Sequence, residues 1–385
     1  MSSSERFHFL DSARALCMVL GIPYHAGLIY HPGMSWRADS PQDSMALGLL
    51  SQASSNFRMQ LFFIIAGFFS AMMIGRRTPE AWMRQRMQRL LLPFVAAMIL
   101  IIPFQIAAEA FLQPGAPPGT RPGEFLYQLR QPWWNWGHLW FLLTLFWLSL
   151  GFATATMALQ ATGWRLPPAR GLPRLPRLVA LAVLVVAVTL WSQDWMLLRD
   201  RFGLPVKTAM GFVYVEAIVL YLPFFALGVW FWLDRAALEG FATLSPPVLL
   251  LAAAALGLSL HAAATQEGRL AWLFQPAAAI LVSAVVLGLL RRVSDNENRT
   301  VRRLVDASFT IYLVHQPLVV ILGSLFLWLA LPPAAEYLVI IAGTFLLSWA
   351  LAQAVAARPW LQFLLNGAAR RRPAREPAPP AARAT

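Results

Sequence analysis

The chain has a single cysteine, Cys17, among 385 residues. That excludes an intramolecular disulfide and any metal site built from several cysteines. Charge is scarce as well: 13% of the residues are Asp, Glu, Lys or Arg, against about 25% in soluble domains. No stretch of ordinary domain size is polar enough to stand as a separate soluble unit. No small-residue cleavage pattern follows the first apolar run, which is also too long for a signal peptide, so that run is expected to persist as an anchor. No internal repeat is evident.

What is present is 58% hydrophobic, with 16 Trp and 25 Phe suited to interfacial belts and apolar packing. Ten apolar runs stand out, at 9–29, 56–75, 90–110, 138–159, 177–193, 210–232, 246–263, 270–290, 308–329 and 336–356. Runs this long and this apolar suit helices, not barrel strands. The expected fold class is an all-α polytopic membrane protein with about ten transmembrane helices.

The net charge of +13 does not point to nucleic acid, because the cations gather in alternate loops. Only Arg37, Arg58, Arg121, Arg130, Arg199, Arg201, Lys207 and Arg269 fall in one set of loops or at the run ends beside them; Arg14 lies deeper inside a run, and the rest of the 31 fall in the other set. This is the positive-inside pattern, and it predicts both termini in the cytoplasm. Anionic membrane lipids add to the attraction. Residues 1–360 are expected to form the membrane domain. Residues 361–385 form a basic, Pro/Ala/Arg-rich cytoplasmic tail expected to be disordered.

The opening run, Phe9–Tyr30, carries Asp11, Arg14 and His25. Ionisable groups cost roughly 2.5–3.5 kcal/mol at mid-membrane, so they face protein or water. At 100° per residue, eleven residues turn about 1100°, which puts Arg14 and His25 within roughly 20° of one helix face and about 16 Å apart. Two readings stand. The helix lines a reaction chamber, or Asp11 and Arg14 pair at the membrane border and His25 is a packed histidine.

Other polar groups recur at membrane depth. His138 opens the fourth run after Trp136, near the outer face, at the depth expected for His25. Tyr214 and Glu216 lie early in the sixth run. His315 and Gln316 sit mid-run before Pro317, which lacks an N–H and loosens the helix ladder. That either bares carbonyls to a cavity or simply permits packing. His261 ends the seventh run without distinguishing context. Arg76, Arg77, Arg84, Arg86 and Arg89 crowd one inner loop and could hold phosphates, though positive-inside charge alone accounts for them. The outer loop around QPWWNW could stack on sugar rings or serve as an interfacial belt. No third ligand at a known spacing supports a metal site.

Together these segments resemble the acyltransferase-3 family of integral membrane O-acyltransferases, and within it the branch of bacterial glucan biosynthesis C proteins. FLDSARALCMVLGIPYHAG is similar to the family's first helix, with its arginine–histidine pairing at Arg14 and His25. FRMQLFFIIAGFFSAMMIGRR is similar to the second helix, Arg86-x-x-Arg89 to the inner arginine pair, and GHLWFLLTLFW and FTIYLVHQPLVV to later helices. The resemblance implies transfer of an acyl group from cytosolic acyl-CoA to a hydroxyl on a periplasmic or envelope glycan, at the bacterial inner membrane. The acyl-CoA, succinyl-CoA or acetyl-CoA, is then a co-substrate, and no tightly bound cofactor or metal is expected. His25 becomes the catalytic imidazole, aided by Arg14 and Glu216. Arg84, Arg86 and Arg89 become the donor-phosphate site, and His138, Trp136, Tyr214 and His315 the pocket for substrate. Self-association and partners in glucan biosynthesis are left open. The main rival is a transporter or flippase for an envelope glycan, lipid or acyl intermediate, whose path would also be lined by buried polar groups.

Overall fold

A computed structural model describes residues 7–114, 120–130, 136–163, 176–329 and 331–367. Helices and no strands occur among them, and nine helical stretches of the described residues are long and apolar enough to cross a membrane. Each overlaps one of the second to tenth expected runs, and the second and third begin earlier than expected, at Met45 and Pro79. The first run is divided into α1 (His8–Val19) and α2 (Gly21–Leu28). Pro23 has no N–H to offer the Val19 carbonyl, so the ladder stops there. Leu20 stays in the helical region, and Tyr24 N–H still bonds Leu20 O at 3.2 Å, so the two pieces follow one another. The step from Arg14 to His25 therefore crosses a break that the single-helix expectation did not include.

The second span joins α3 (Met45–Ser55) to α4 (Arg58–Ile74), and the third joins α5 (Pro79–Leu100) to α6 (Ile102–Phe111). Thr78 starts α5 by accepting from Ala81 N–H at 3.3 Å, with Pro79 in the first turn. A short exposed helix, α7 (Arg121–Arg130), precedes α8 (Trp140–Ala161). Then come α9 (Arg177–Phe202), α10 (Val215–Leu233), the short α11 (Arg235–Phe241), α12 (Pro246–Ala264), α13 (Gly268–Ser294), α14 (Arg299–Phe326), α15 (Pro333–Ala357) and α16 (Pro359–Asn366).

The spans with most of their surface enclosed are α3–α4 and α14. α4 lies against α10, backbone on backbone. A Cβ on Gly67 would collide with the Phe225 carbonyl, and one on Gly228 with the Ile64 carbonyl. Small residues bring membrane helices this close where apolar burial gives no drive. At the periphery α9, α12 and α15 expose Leu197, Leu250 and Leu338, a surface suited to lipid tails.

Of the tail expected from 361, residues 361–366 belong to α16, which packs on α5 and α15. Leu365 is buried there, with Leu361 and Leu364 against the core, so apolar burial carries order past the expected boundary. Residues 368–385 lie outside the described residues.

Candidate active site

Three histidines from separate elements converge, and one of them is held by a carbonyl that a proline frees. Pro317 cannot donate to Leu313 O four residues earlier in α14. His138, in the 3-10 turn before α8, fills that place: its Nε2 donates to Leu313 O at 3.1 Å. Tyr312 Oη returns a hydrogen bond to the His138 carbonyl at 2.8 Å. One turn along, His315 Nδ1 donates to Tyr312 O at 2.7 Å. A carbonyl only accepts, so both tautomers are fixed for neutral rings, with the lone pairs on His138 Nδ1 and His315 Nε2. Among the described residues both of those nitrogens are buried without a hydrogen-bond partner, as is His25 Nδ1. The ring centroids are 4.9 Å apart for His138 and His315, 5.2 Å for His25 and His315, and 6.4 Å for His25 and His138.

The three rings line a cavity of about 770 Å³ that reaches inward to Cys17 and Met18, one turn short of Arg14. Among the described residues its lining contains Arg37, Arg58, Tyr24, Gln60, Tyr221, Tyr312 and Gln316, and no Asp or Glu. Trp36 lies parallel to His25, with centroids 5.5 Å apart and 18° between planes. The loop carrying it is held by Asp39, which accepts from Trp36 N–H at 2.6 Å and Ser35 Oγ at 2.9 Å. Beside it Arg37 pairs with Glu109 at 2.7 Å. Glu109 accepts from Gln105, whose own oxygen accepts from Gln316 at 3.1 Å. This chain ties the loop after α2 to α6 and α14. Gly137, at φ +51, passes so close to Gln316 that any Cβ would displace its amide.

A second cavity of about 380 Å³ adjoins the first, sharing Arg37, Gly137, Trp140 and Tyr221, and adds Trp136, Tyr214, Lys207 and Glu216. Trp140 stacks on Tyr221 at 5.6 Å and meets Tyr214 edge-on at 5.8 Å. Glu216 forms an ion pair with Arg199 at 3.2 Å. Residues 131–135, most of the QPWWNW segment, lie outside the described residues.

The structure thus brings His25, His138 and His315 together and sets Trp136, Tyr214 and Glu216 around the adjoining space. Arg14, Arg84, Arg86 and Arg89 line neither cavity. Arg14 pairs with Asp11 at 3.3 Å. Arg86 donates to Ser70 Oγ at 2.9 Å and lies 5.1 Å over Trp82. Arg84 and Arg89 are exposed. Arg14, Arg86 and Arg89 are close enough to repel one another, so they form one cationic cluster. Among the described residues no three His, Cys, Asp or Glu side chains converge on a metal position.

Sequence reasoning counted Arg58 as a loop cation; the structure buries it at 8% exposure on the cavity wall. The available signal was an arginine beginning an otherwise apolar run, RMQLFFIIAGFF. Trp36 and Tyr221 were also missed, and no local pattern marks them.

Apolar spans around a buried, histidine-lined polar cavity define a polytopic membrane protein with acid–base groups in its interior. The family model described as acyltransferase domain matches residues 7–353, so the chain belongs to this acyltransferase family. Relatives include the glucans biosynthesis protein C of Salmonella paratyphi A (strain ATCC 9150 / SARB42) and that of Salmonella agona (strain SL483). Each is 30% identical over 333 residues, covering 83% of this chain and 84% of theirs. No solved structure matches the chain.

Proposed function

We propose that the protein transfers an acyl group from cytosolic acyl-CoA to a hydroxyl of a periplasmic glucan or other envelope glycan, working in the bacterial inner membrane with both termini inside. The observation that carries this reading is the meeting of His25, His138 and His315 in one buried cavity. A sugar hydroxyl attacks a thioester slowly until its proton is removed, and a neutral imidazole removes it near pH 7. In this reading His25 is the base: it belongs to the family-matched opening segment, and among the described residues its Nδ1 has no hydrogen-bond partner.

The donor side rests on Arg14, Arg84, Arg86 and Arg89, whose charge suits phosphates. Arg14 lies one turn beyond the inner end of the histidine cavity, on α1, and His25 lies past the break, on α2. A donor gripped by its phosphates at the arginines reaches the imidazole only through a long arm, which a CoA thioester has. The acceptor side is the aromatic cavity of Trp136, Trp140, Tyr214 and Tyr221, where sugar rings can stack. Glucan is favoured as acceptor by the relatives' name, glucans biosynthesis protein C. Whether the acyl group is succinyl or acetyl is decided by the assay below.

The test is incubation of purified, detergent-solubilised protein with acetyl-CoA or succinyl-CoA and candidate glycans, followed by mass measurement. Acylated glycan is the expected product. Intact donor and acceptor in that assay, with passage of an unmodified solute in sealed vesicles, would favour a transporter instead.

A further inference from the structure

Among the described residues, Arg58 is a buried cation with no ion-pair partner. It opens α4 and lies on the wall of the histidine cavity, whose described lining contains no carboxylate. Its guanidinium stands 4.5 Å over the Tyr24 ring. Among the described residues it makes no ion pair and no hydrogen bond, and its Nε is enclosed without a partner. The other arginine of this wall, Arg37, is already matched by Glu109. An enclosed, unmatched charge is costly unless something supplies the opposite sign.

Its position says when that sign arrives. A Cβ built on Gly21 would stand 3.0 Å from an Arg58 terminal nitrogen and 2.5 Å from His315 Nε2. The guanidinium and the lone-pair nitrogen of His315 therefore crowd over one bare stretch of backbone. Any side chain at position 21 would push into both. His25 is 5.2 Å from His315, so a base and a cation border the same small volume.

We propose that Arg58 is a catalytic residue that stabilises the oxyanion of acyl transfer, an inference that rests on the acyltransferase reading above. The acceptor oxygen bonds to the thioester carbonyl carbon while its proton passes to His25. The carbonyl π pair moves onto oxygen, facing Arg58. That pair then re-forms the C=O bond as the C–S bond breaks, and the departing thiolate takes the proton from His25. Products are the ester and the free thiol. A donor placed where charge develops acts on the transition state and not on the ground state.

Arg58→Met and Arg58→Lys in the full-length, detergent-solubilised protein test this. Arg58→Met leaves no buried carboxylate without its partner, and monodispersity with a retained melting transition verifies that both variants fold. Rates are measured with acetyl-CoA, whose acyl group is neutral, and succinyl-CoA, whose acyl group carries a carboxylate. Arg58→Met should lower kcat about 10²–10³-fold with both donors and leave the KM values near wild type, while Arg58→Lys recovers part of the loss. An unchanged kcat, or a rise in KM alone, overturns the assignment. A loss confined to succinyl-CoA overturns it too, and makes Arg58 a carboxylate anchor. A wild-type protein that transfers neither acyl group refutes the acyltransferase reading itself, and the role of Arg58 falls with it.

Discussion

His138 Nε2 donates to the carbonyl of Leu313 at 3.1 Å, and that carbonyl is free because residue 317 is proline. A helix defect on α14 thereby becomes the fixture that orients an imidazole carried by another element. Pro317→Ala would restore an N–H aimed at Leu313 O, and the helix would compete with His138 for it. Expected outcome: an equal or higher melting temperature and a turnover lowered about 10-fold or more, since small misplacements of reacting groups are expensive. Wild-type turnover in a folded Pro317→Ala protein would show that His138 needs no such anchor.

Trp36 covers His25 on a loop pinned by Asp39 and by the Arg37–Glu109 pair. Its removal admits water to the imidazole. Trp36→Ala should raise donor hydrolysis relative to transfer, read as free thiol released per acylated glycan. An unchanged ratio would mean that Trp36 only packs.

Glu216 faces the aromatic cavity and pairs with Arg199; it does not line the cavity of the three imidazoles. Glu216→Gln should therefore raise the acceptor KM several-fold and leave kcat within about twofold, as expected of a residue that holds substrate equally in ground and transition states. Loss of kcat with unchanged KM would instead make Glu216 part of the proton chemistry.

Gly67 and Gly228 let α4 and α10 touch through backbone. Overpacking costs about 1–3 kcal/mol, more where backbone must move. Gly228→Val should lower the melting temperature sharply or abolish folding. Gly151→Ala, on α8 where a Cβ meets nothing within 4 Å, is the matched control and should be neutral. Equal stability in the two variants would remove the close contact from the account.

The spans were legible because each is a local property: an apolar run long enough to cross a bilayer declares itself without reference to any other. His25, His138 and His315 were each visible as polar groups at membrane depth. Their convergence was not, because it depends on how α2, the turn before α8 and α14 pack, with the freed Leu313 carbonyl holding His138. Arg58 was misassigned for a related reason. Charge counting treats an arginine at a run's edge as a loop residue, and only tertiary packing reveals that α3 and α4 continue as one enclosed span. The break at Leu20 follows from Pro23, whereas the eleven-residue step from Arg14 to His25 fits one face only on an unbroken helix. The inner arginines were legible as a basic cluster, and the structure adds that Arg84, Arg86 and Arg89 lie on α5, with Arg86 anchored on Ser70 and Arg84 and Arg89 open to solvent.

The most direct test is product mass after incubating wild type and His25→Gln with acyl-CoA and a glucan acceptor. Wild type should yield glucan heavier by whole acyl groups. The variant, folded and membrane-inserted, should yield about 10²–10⁴-fold less, the span of general-base catalysis. Acylated glucan from His25→Gln at the wild-type rate would contradict the central claim, that a buried imidazole of the opening helix pair removes the acceptor's proton.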